Sequence, residues 1–173
     1  MHEIVVRAET HDDLRAIDVV NLSAFQGEEE ARLISALRAS KDFMPELSLV
    51  AELNGRVVGH LLLSRARMRR NGEIIDVLAL GPMSVVPSQS HRGIGSALVD
   101  AAIARARELG YGAIVVAGRP DYYQRLGFSP ASRWALYCNI DVPDEAFTAM
   151  ELEPGLLTKG GEVQYPAPFA ELF

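Results

Sequence analysis

The sequence predicts an α+β protein in which a mixed, mostly antiparallel sheet is covered by helices. Three observations carry this. Two Asn-Gly pairs, Asn54-Gly55 and Asn71-Gly72, each separate apolar runs and so mark two successive hairpins. A long amphipathic stretch ends at Gly110. The short, wholly apolar run GAIVVAG follows it, of the kind buried on both faces of a sheet.

In chain order, EIVVRAE (Glu3 to Glu9) alternates and is rich in β-formers, so it reads as a strand. Thr10 or Asp12 can cap the helix that follows, with Leu14, Ile17, Val20 and Asn21 in register. A second helix is expected from about Glu28 to Ser40, with acids in its first turn and Leu33, Ile34 and Leu37 on one face. The two Asn-Gly turns then join three strands into a meander. The long helix comes next, then the apolar strand, which makes one strand–helix–strand crossover with a parallel pair. PDYYQRL suits a short helix with proline near its start. WALYCNI and FTAMEL read as strands, and the tail is expected to form a short strand at Glu162 to Tyr165 before running over the surface. There is no repeat, linker or low-complexity segment, so the 173 residues read as one domain, 1–173, with a C-terminal extension at about 140–173.

Composition narrows the function classes. Charged residues are 23% and hydrophobic ones 49%, ordinary for a globular protein able to bury a full core. The net charge of −6 comes without a basic tract, which argues against nucleic acid as a partner. No apolar run reaches membrane-spanning length and the N-terminal stretch lacks a signal-peptide pattern, so cytoplasmic residence is the expectation. The single cysteine, Cys138, excludes an internal disulfide framework or a Cys-rich zinc site, and no metal site is expected.

The most informative stretch is SHRGIGSALVDAAIARARELG, Ser90 to Gly110. It places Gly93 and Gly95 at the entrance of a helix, although a glycine costs roughly 1 kcal/mol in a helix interior relative to alanine. A helix N-terminus offers unpaired amides and partial positive charge, and glycines allow close approach. A tight turn feeding the helix is the plain alternative. A P-loop is excluded because no Gly-Lys-Ser/Thr occurs. The dinucleotide fingerprint fails because Leu98 stands where the third glycine belongs. What remains is a phosphate-bearing ligand held by backbone amides.

LGPMSVVPSQSHRGIGSALVDAAIARARELG followed by PDYYQRLGF resembles the GNAT superfamily of acetyl-CoA-dependent N-acetyltransferases. That family carries Gln/Arg-x-x-Gly-x-Gly/Ala between a strand and a helix. Here the matching segment is Ser90 to Gly95, with Ser90 in place of the Gln or Arg and Gln89 one position early. The second match is Tyr-x-x-x-Gly-Phe, Tyr123 to Phe128. The order of elements fits from Glu3 to about Asn139, and GHLLLS, PDYYQRLGF and GEVQYPAPF resemble one branch of small bacterial members.

The resemblance implies a GNAT fold whose sheet splays at its one parallel pair, acetyl-CoA as cofactor, and transfer of an acetyl group to a primary amine of a small molecule or protein. A homodimer is compatible with it. It assigns the amides of Arg92, Gly93, Ile94, Gly95 and Ser96 to pyrophosphate. Tyr123 is assigned as the acid that protonates the departing thiolate. It also implies a bulge in the meander's last strand. Gly81-Pro82 fits, because proline cannot donate a ladder hydrogen bond, and the amides of Met83 and Val85 would then face pantetheine. One of these amides could also stabilise the developing oxyanion.

No residue is assigned as base. Met83, Ser84 and Val85 stand where many members have a glutamate. Glu28, Glu29 and Glu30 read as helix-dipole partners, Asp76 as a surface strand residue, and His60 as a core histidine. Tyr122 reads as packing the short helix against the sheet. His91 and Arg92 are either solvated or reach phosphates, and Trp134 is core or cleft wall. Three readings stay open: an N-acetyltransferase, a non-catalytic acyl-CoA-binding or regulatory module, and transfer to a hydroxyl or of a longer acyl group. The presence of Tyr123 favours the enzyme.

Overall fold

The computed structural model describes residues 3–25 and 27–173. The elements run β1 (Ile4–Ala8), α1 (Leu14–Ala24), α2 (Glu29–Arg38), β2 (Phe43–Leu53), β3 (Arg56–Arg70), β4 (Glu73–Val85), α3 (Ile94–Glu108), β5 (Ala113–Ala117), α4 (Pro120–Arg125), β6 (Ser129–Pro130), β7 (Leu136–Cys138), β8 (Phe147–Glu151) and β9 (Gly161–Gln164). Among the described residues they form one mixed sheet in the order β1-β2-β3-β4-β5-β8-β6, with β9 pairing both β3 and β7.

Both Asn-Gly turns form as read. Asn54 and Gly55, and again Asn71 and Gly72, have positive φ, the geometry that matches the twist of hairpin strands. β1 to β4 are antiparallel neighbours, and β4 pairs β5 in parallel. The two-residue side-chain period sorts the apolar strands between two cores. Leu61, Leu63, Leu78, Leu80, Ile114 and Val116 face Leu98 and Ala102 of α3. Leu62, Val77, Ala79, Ala113 and Val115 face Leu33 and Leu37 of α2. α3 ends in a Schellman arrangement: Tyr111 N–H donates to Ala106 O and Gly110 N–H to Arg107 O. Among the described residues, no helix is long and apolar enough to cross a membrane.

Three readings are corrected. The first helix opens through a 3-10 turn, His11–Asp13; of the two expected caps Thr10 is the N-cap and Asp12 is not, and Asp13 closes the capping box. Its carboxylate accepts from Thr10 N–H at 2.7 Å and pairs with both terminal nitrogens of Arg7. The strand expected at WALYCNI shrinks to β7, because a 3-10 turn with Ala135 in the left-handed region precedes it. The tail does not simply cross the surface. Tyr165 and Phe169 are buried and stack edge-on with ring centroids 4.9 Å apart. Burying two aromatic rings outweighs solvating the turn-rich backbone that carries them.

Candidate active site

Pairing between β4 and β5 runs from Leu78↔Ile114 to Leu80↔Val116 and stops there. The next two residues of β4 are Gly81 and Pro82. They form a bulge against β3: Leu63 pairs with Leu80 and Leu61 with Met83, so two residues stand opposite Leu62 alone. The Gly81-Pro82 peptide is cis. Beyond the bulge, β4 leaves β5 and a gap opens.

The direction of the peptide groups in that gap follows from one hydrogen bond. Val86 N–H donates to Val58 O at 2.9 Å. Alternation along an antiparallel strand then turns Ser84 toward β3 as well, and turns the peptide groups of Met83 and Val85 away from it, into the gap.

The groove continues to the start of α3. Gly93 is the residue before the helix, with φ 79°, and among the described residues no side chain caps the helix end. The N–H groups of Ile94, Gly95 and Ser96 are first-turn donors without intrahelical acceptors. Gly95 leaves space for its neighbour: a Cβ there would run into the Tyr122 hydroxyl. Met83, Ser84, Val85, Gln89, Ser90, His91, Gly93, Ile94, Gly95, Ser96, Arg119 and Tyr122 all line this groove, which encloses about 370 Å³. Arg92 is exposed beside it. Gln89 sits one position early in the motif. Its side-chain oxygen is buried with no hydrogen-bond partner among the described residues, as is the Ser84 hydroxyl.

A second cavity of about 140 Å³ lies at the point of the splay. Leu80 to Met83 of β4, Val116 to Arg119 at and just beyond the end of β5, and Tyr123 of α4 line it, together with Phe25, Glu30, Tyr165, Phe169 and Phe173. Phe25, Met83 and Arg119 line both cavities, so the two adjoin. Tyr123 is 7% exposed and packs edge-on against Tyr122 and Phe128, with centroids 5.2 and 5.7 Å away. Burial pushes its hydroxyl above the ordinary phenol value, so it is protonated at neutral pH. Arg119 has φ 41°, and its guanidinium lies 4.7 Å from the Tyr122 ring centroid.

The Acetyltransferase (GNAT) family profile matches residues 13–128. The chain belongs to this family of acetyltransferases. Among its GNAT relatives, the uncharacterized N-acetyltransferase YhbS of Escherichia coli K12 is 29% identical over 168 residues, covering 96% of this chain and 98% of that protein. YjhQ of the same organism, likewise an uncharacterized N-acetyltransferase, is 30% identical over 132 residues, 76% of this chain and 73% of its own. The crystal structure of E. coli YhbS in complex with CoA superposes with a TM-score of 0.89 at 28% identity, covering 98% of this chain and 93% of that one. A GNAT family acetyltransferase from Brucella melitensis in complex with acetyl-CoA gives 0.77 at 30% identity, covering 98% and 99%.

Within this GNAT fold two readings change, those of Tyr122 and Glu30, while Asp76, His60, Cys138 and Trp134 stand where the sequence put them. Tyr122 lines the groove as well as packing. Glu30, read from the sequence as a helix-dipole partner, is half-buried in the second cavity, whereas Glu28 and Glu29 are exposed at the end of α2. Asp76 is exposed at β4, 3.9 Å from Arg65. His60 is fully buried, bonded through Nε2 to Ser48 Oγ at 2.9 Å, and its burial together with the charge of Arg38 pushes it down to about 3. Cys138 is half-buried and burial pushes its thiol up, in keeping with an inert residue. Trp134 packs against the α2-side core. The sequence offered a weak signal for Glu30, three acids before an apolar helix face, and none for Tyr165 or Phe169.

Proposed function

We propose that this GNAT acetyltransferase moves an acetyl group from acetyl-CoA to a primary amine of a small molecule or protein, with Tyr123 as general acid. The observation that carries it is the adjoining of two cavities, one lined by amide donors and one containing a protonated, buried phenol.

Acetyl-CoA supplies the activated acyl group as a thioester. The fit of the chain to it is chemical. The amides of Arg92 to Ser96 suit a pyrophosphate, since charge-assisted hydrogen bonds contribute about 1.5–3 kcal/mol each. The peptide groups of Met83 and Val85 suit an amide-bearing arm that pairs with β4 as an added strand. One of the same N–H groups can stabilise an oxyanion at the bulge. The Tyr123 hydroxyl donates its proton to the sulfur as the carbon–sulfur bond breaks, and general acid catalysis of this kind contributes a factor of roughly 10² to 10⁴. His60 is excluded as the base by its complete burial and its neutral state at pH 7.

The test is release of CoA thiol from acetyl-CoA across a panel of primary amines, with calorimetry of CoA binding in parallel. The reading requires both binding and amine-dependent release. Tight binding with no release on any amine favours a binding module.

A further inference from the structure

We infer that the acceptor is a small primary monoamine with a compact apolar body, its ammonium group beside Glu30 and its body against the aromatic residues of the C-terminal segment. This rests on the acetyl-transfer reading above.

The cavity at the splay holds about 140 Å³. A cavity of roughly that size lined by aliphatic and aromatic groups accommodates a benzene ring. Its walls include Leu33, Leu80, Pro82, Phe169 and Leu172, all apolar. Among the described residues, Glu30 is the only acidic side chain in this lining and has no ion-pair partner. Among the described residues, the one cationic residue of this lining is Arg119, and its guanidinium lies over the Tyr122 ring. A half-buried carboxylate beside an apolar wall is stabilised by a cation that brings its own apolar surface. A second, independent observation also points to an occupant. Tyr165 lines the same cavity and is buried, and its hydroxyl has no hydrogen-bond partner among the described residues.

The cavity is poorly suited to a polyamine, whose second charge would find no second acid among the described residues of the lining. Tyr165 and Phe169 come from the last nine residues of the chain and together make one wall, so the C-terminal segment sets the size of the acceptor.

The proton balance is closed by two groups of this chain. The Glu30 carboxylate takes one proton from the ammonium and frees the nitrogen lone pair. The nitrogen–carbon bond forms, the carbon–sulfur bond breaks, and the sulfur takes the Tyr123 proton. The second amine proton returns to the Tyr123 oxygen through solvent, and Glu30 releases its proton to solvent. The sum is ammonium plus thioester giving amide, thiol and one proton.

The experiment compares benzylamine and isoamylamine with spermidine and a lysine-containing peptide as acceptors for the full chain, by thiol release. Benzylamine or isoamylamine is expected to exceed spermidine and the peptide at least tenfold in kcat/KM. Glu30→Gln is expected to raise the KM for the preferred monoamine at least tenfold and to shift the pH profile of kcat/KM, while the Kd for acetyl-CoA stays within twofold. Glu30→Asp should recover part of the loss. Faster acetylation of spermidine or the peptide overturns the inference and leaves the acetyl-transfer reading intact, as does a wild-type KM in Glu30→Gln. Failure of the wild-type protein to bind acetyl-CoA, or to release thiol with any amine, overturns both.

Discussion

The Tyr122 hydroxyl lies directly over Gly95: a Cβ on that glycine would overlap the oxygen and sit 3.3 Å from the ring carbon bearing it. This ties α4 to the first turn of α3 and explains why a helix entrance carries a residue that weakens helices.

The relationship has a sign that can be measured. Gly→Ala in a helix normally stabilises by roughly 0.5–1 kcal/mol. Gly95→Ala should fail to show that gain in the wild-type background, because the Tyr122 side chain must move. In Tyr122→Phe, the nearest remaining atom is the ring carbon at 3.3 Å, slightly tighter than ordinary contact, so part of the gain should reappear once the ring gives by a few tenths of an ångström. Urea denaturation of the two single variants and the double variant measures this coupling directly. Additive behaviour would contradict the close approach.

Gly93→Val should weaken CoA binding at least tenfold. Gly93 has φ 79°, which costs a side-chain-bearing residue roughly 1–2 kcal/mol, and the loop must hold that shape to present its amides. Calorimetry on a variant whose circular dichroism matches wild type is the check. Unchanged affinity would sink the amide-cradle assignment.

Much of this arrangement was legible in the sequence, for local reasons. The Asn-Gly turns, the wholly apolar β5 and the glycines before α3 are short-range signals, and each formed where expected. The bulge was implied by the family resemblance, and Gly81-Pro82 could be matched to it because proline cannot donate a ladder hydrogen bond. What could not be read was long-range. Glu30 lies on α2, and Tyr165 and Phe169 lie in the tail, yet all three meet Tyr123 at one cavity. Nothing within a few residues of Glu30 distinguishes it from Glu29, which points to solvent. The tail looked like surface because its prolines and glycines are turn-formers, while its aromatic rings reach the core from that turn-rich backbone.

Phe169→Ala should lower stability by about 3–5 kcal/mol, the usual cost of deleting a buried aromatic side chain. It should also widen the range of acceptors, because Phe169 forms part of the cavity wall. Denaturant midpoints, together with rates for benzylamine and a bulkier amine, separate the two effects. A variant as stable as wild type would show that the tail is not docked.

Stability should fall as the pH drops from 7.5 to 5. His60 is held down to about 3 in the folded chain by its burial and by Arg38, against about 6.5 when unfolded. Below pH 6.5 the unfolded chain therefore binds a proton that the folded chain does not, and stability is lost progressively toward pH 3. The expected loss between pH 7.5 and 5 is about 2 kcal/mol. The groups facing His60 are Ser48 and Glu9, and Glu9 is matched by Arg38 at a pair of close contacts. Urea titrations of wild type and His60→Gln across this range check it: the slope should be largely absent in the variant.

The most direct test compares Tyr123→Phe with Tyr122→Phe on an amine that wild type acetylates. Removing the Tyr123 hydroxyl leaves its buried ring in place, so packing against Tyr122 and Phe128 should survive. Turnover should fall roughly 10²-fold or more with little change in acetyl-CoA affinity, and Tyr122→Phe should lose far less. Wild-type turnover in a folded Tyr123→Phe variant would contradict the role of Tyr123 as the acid.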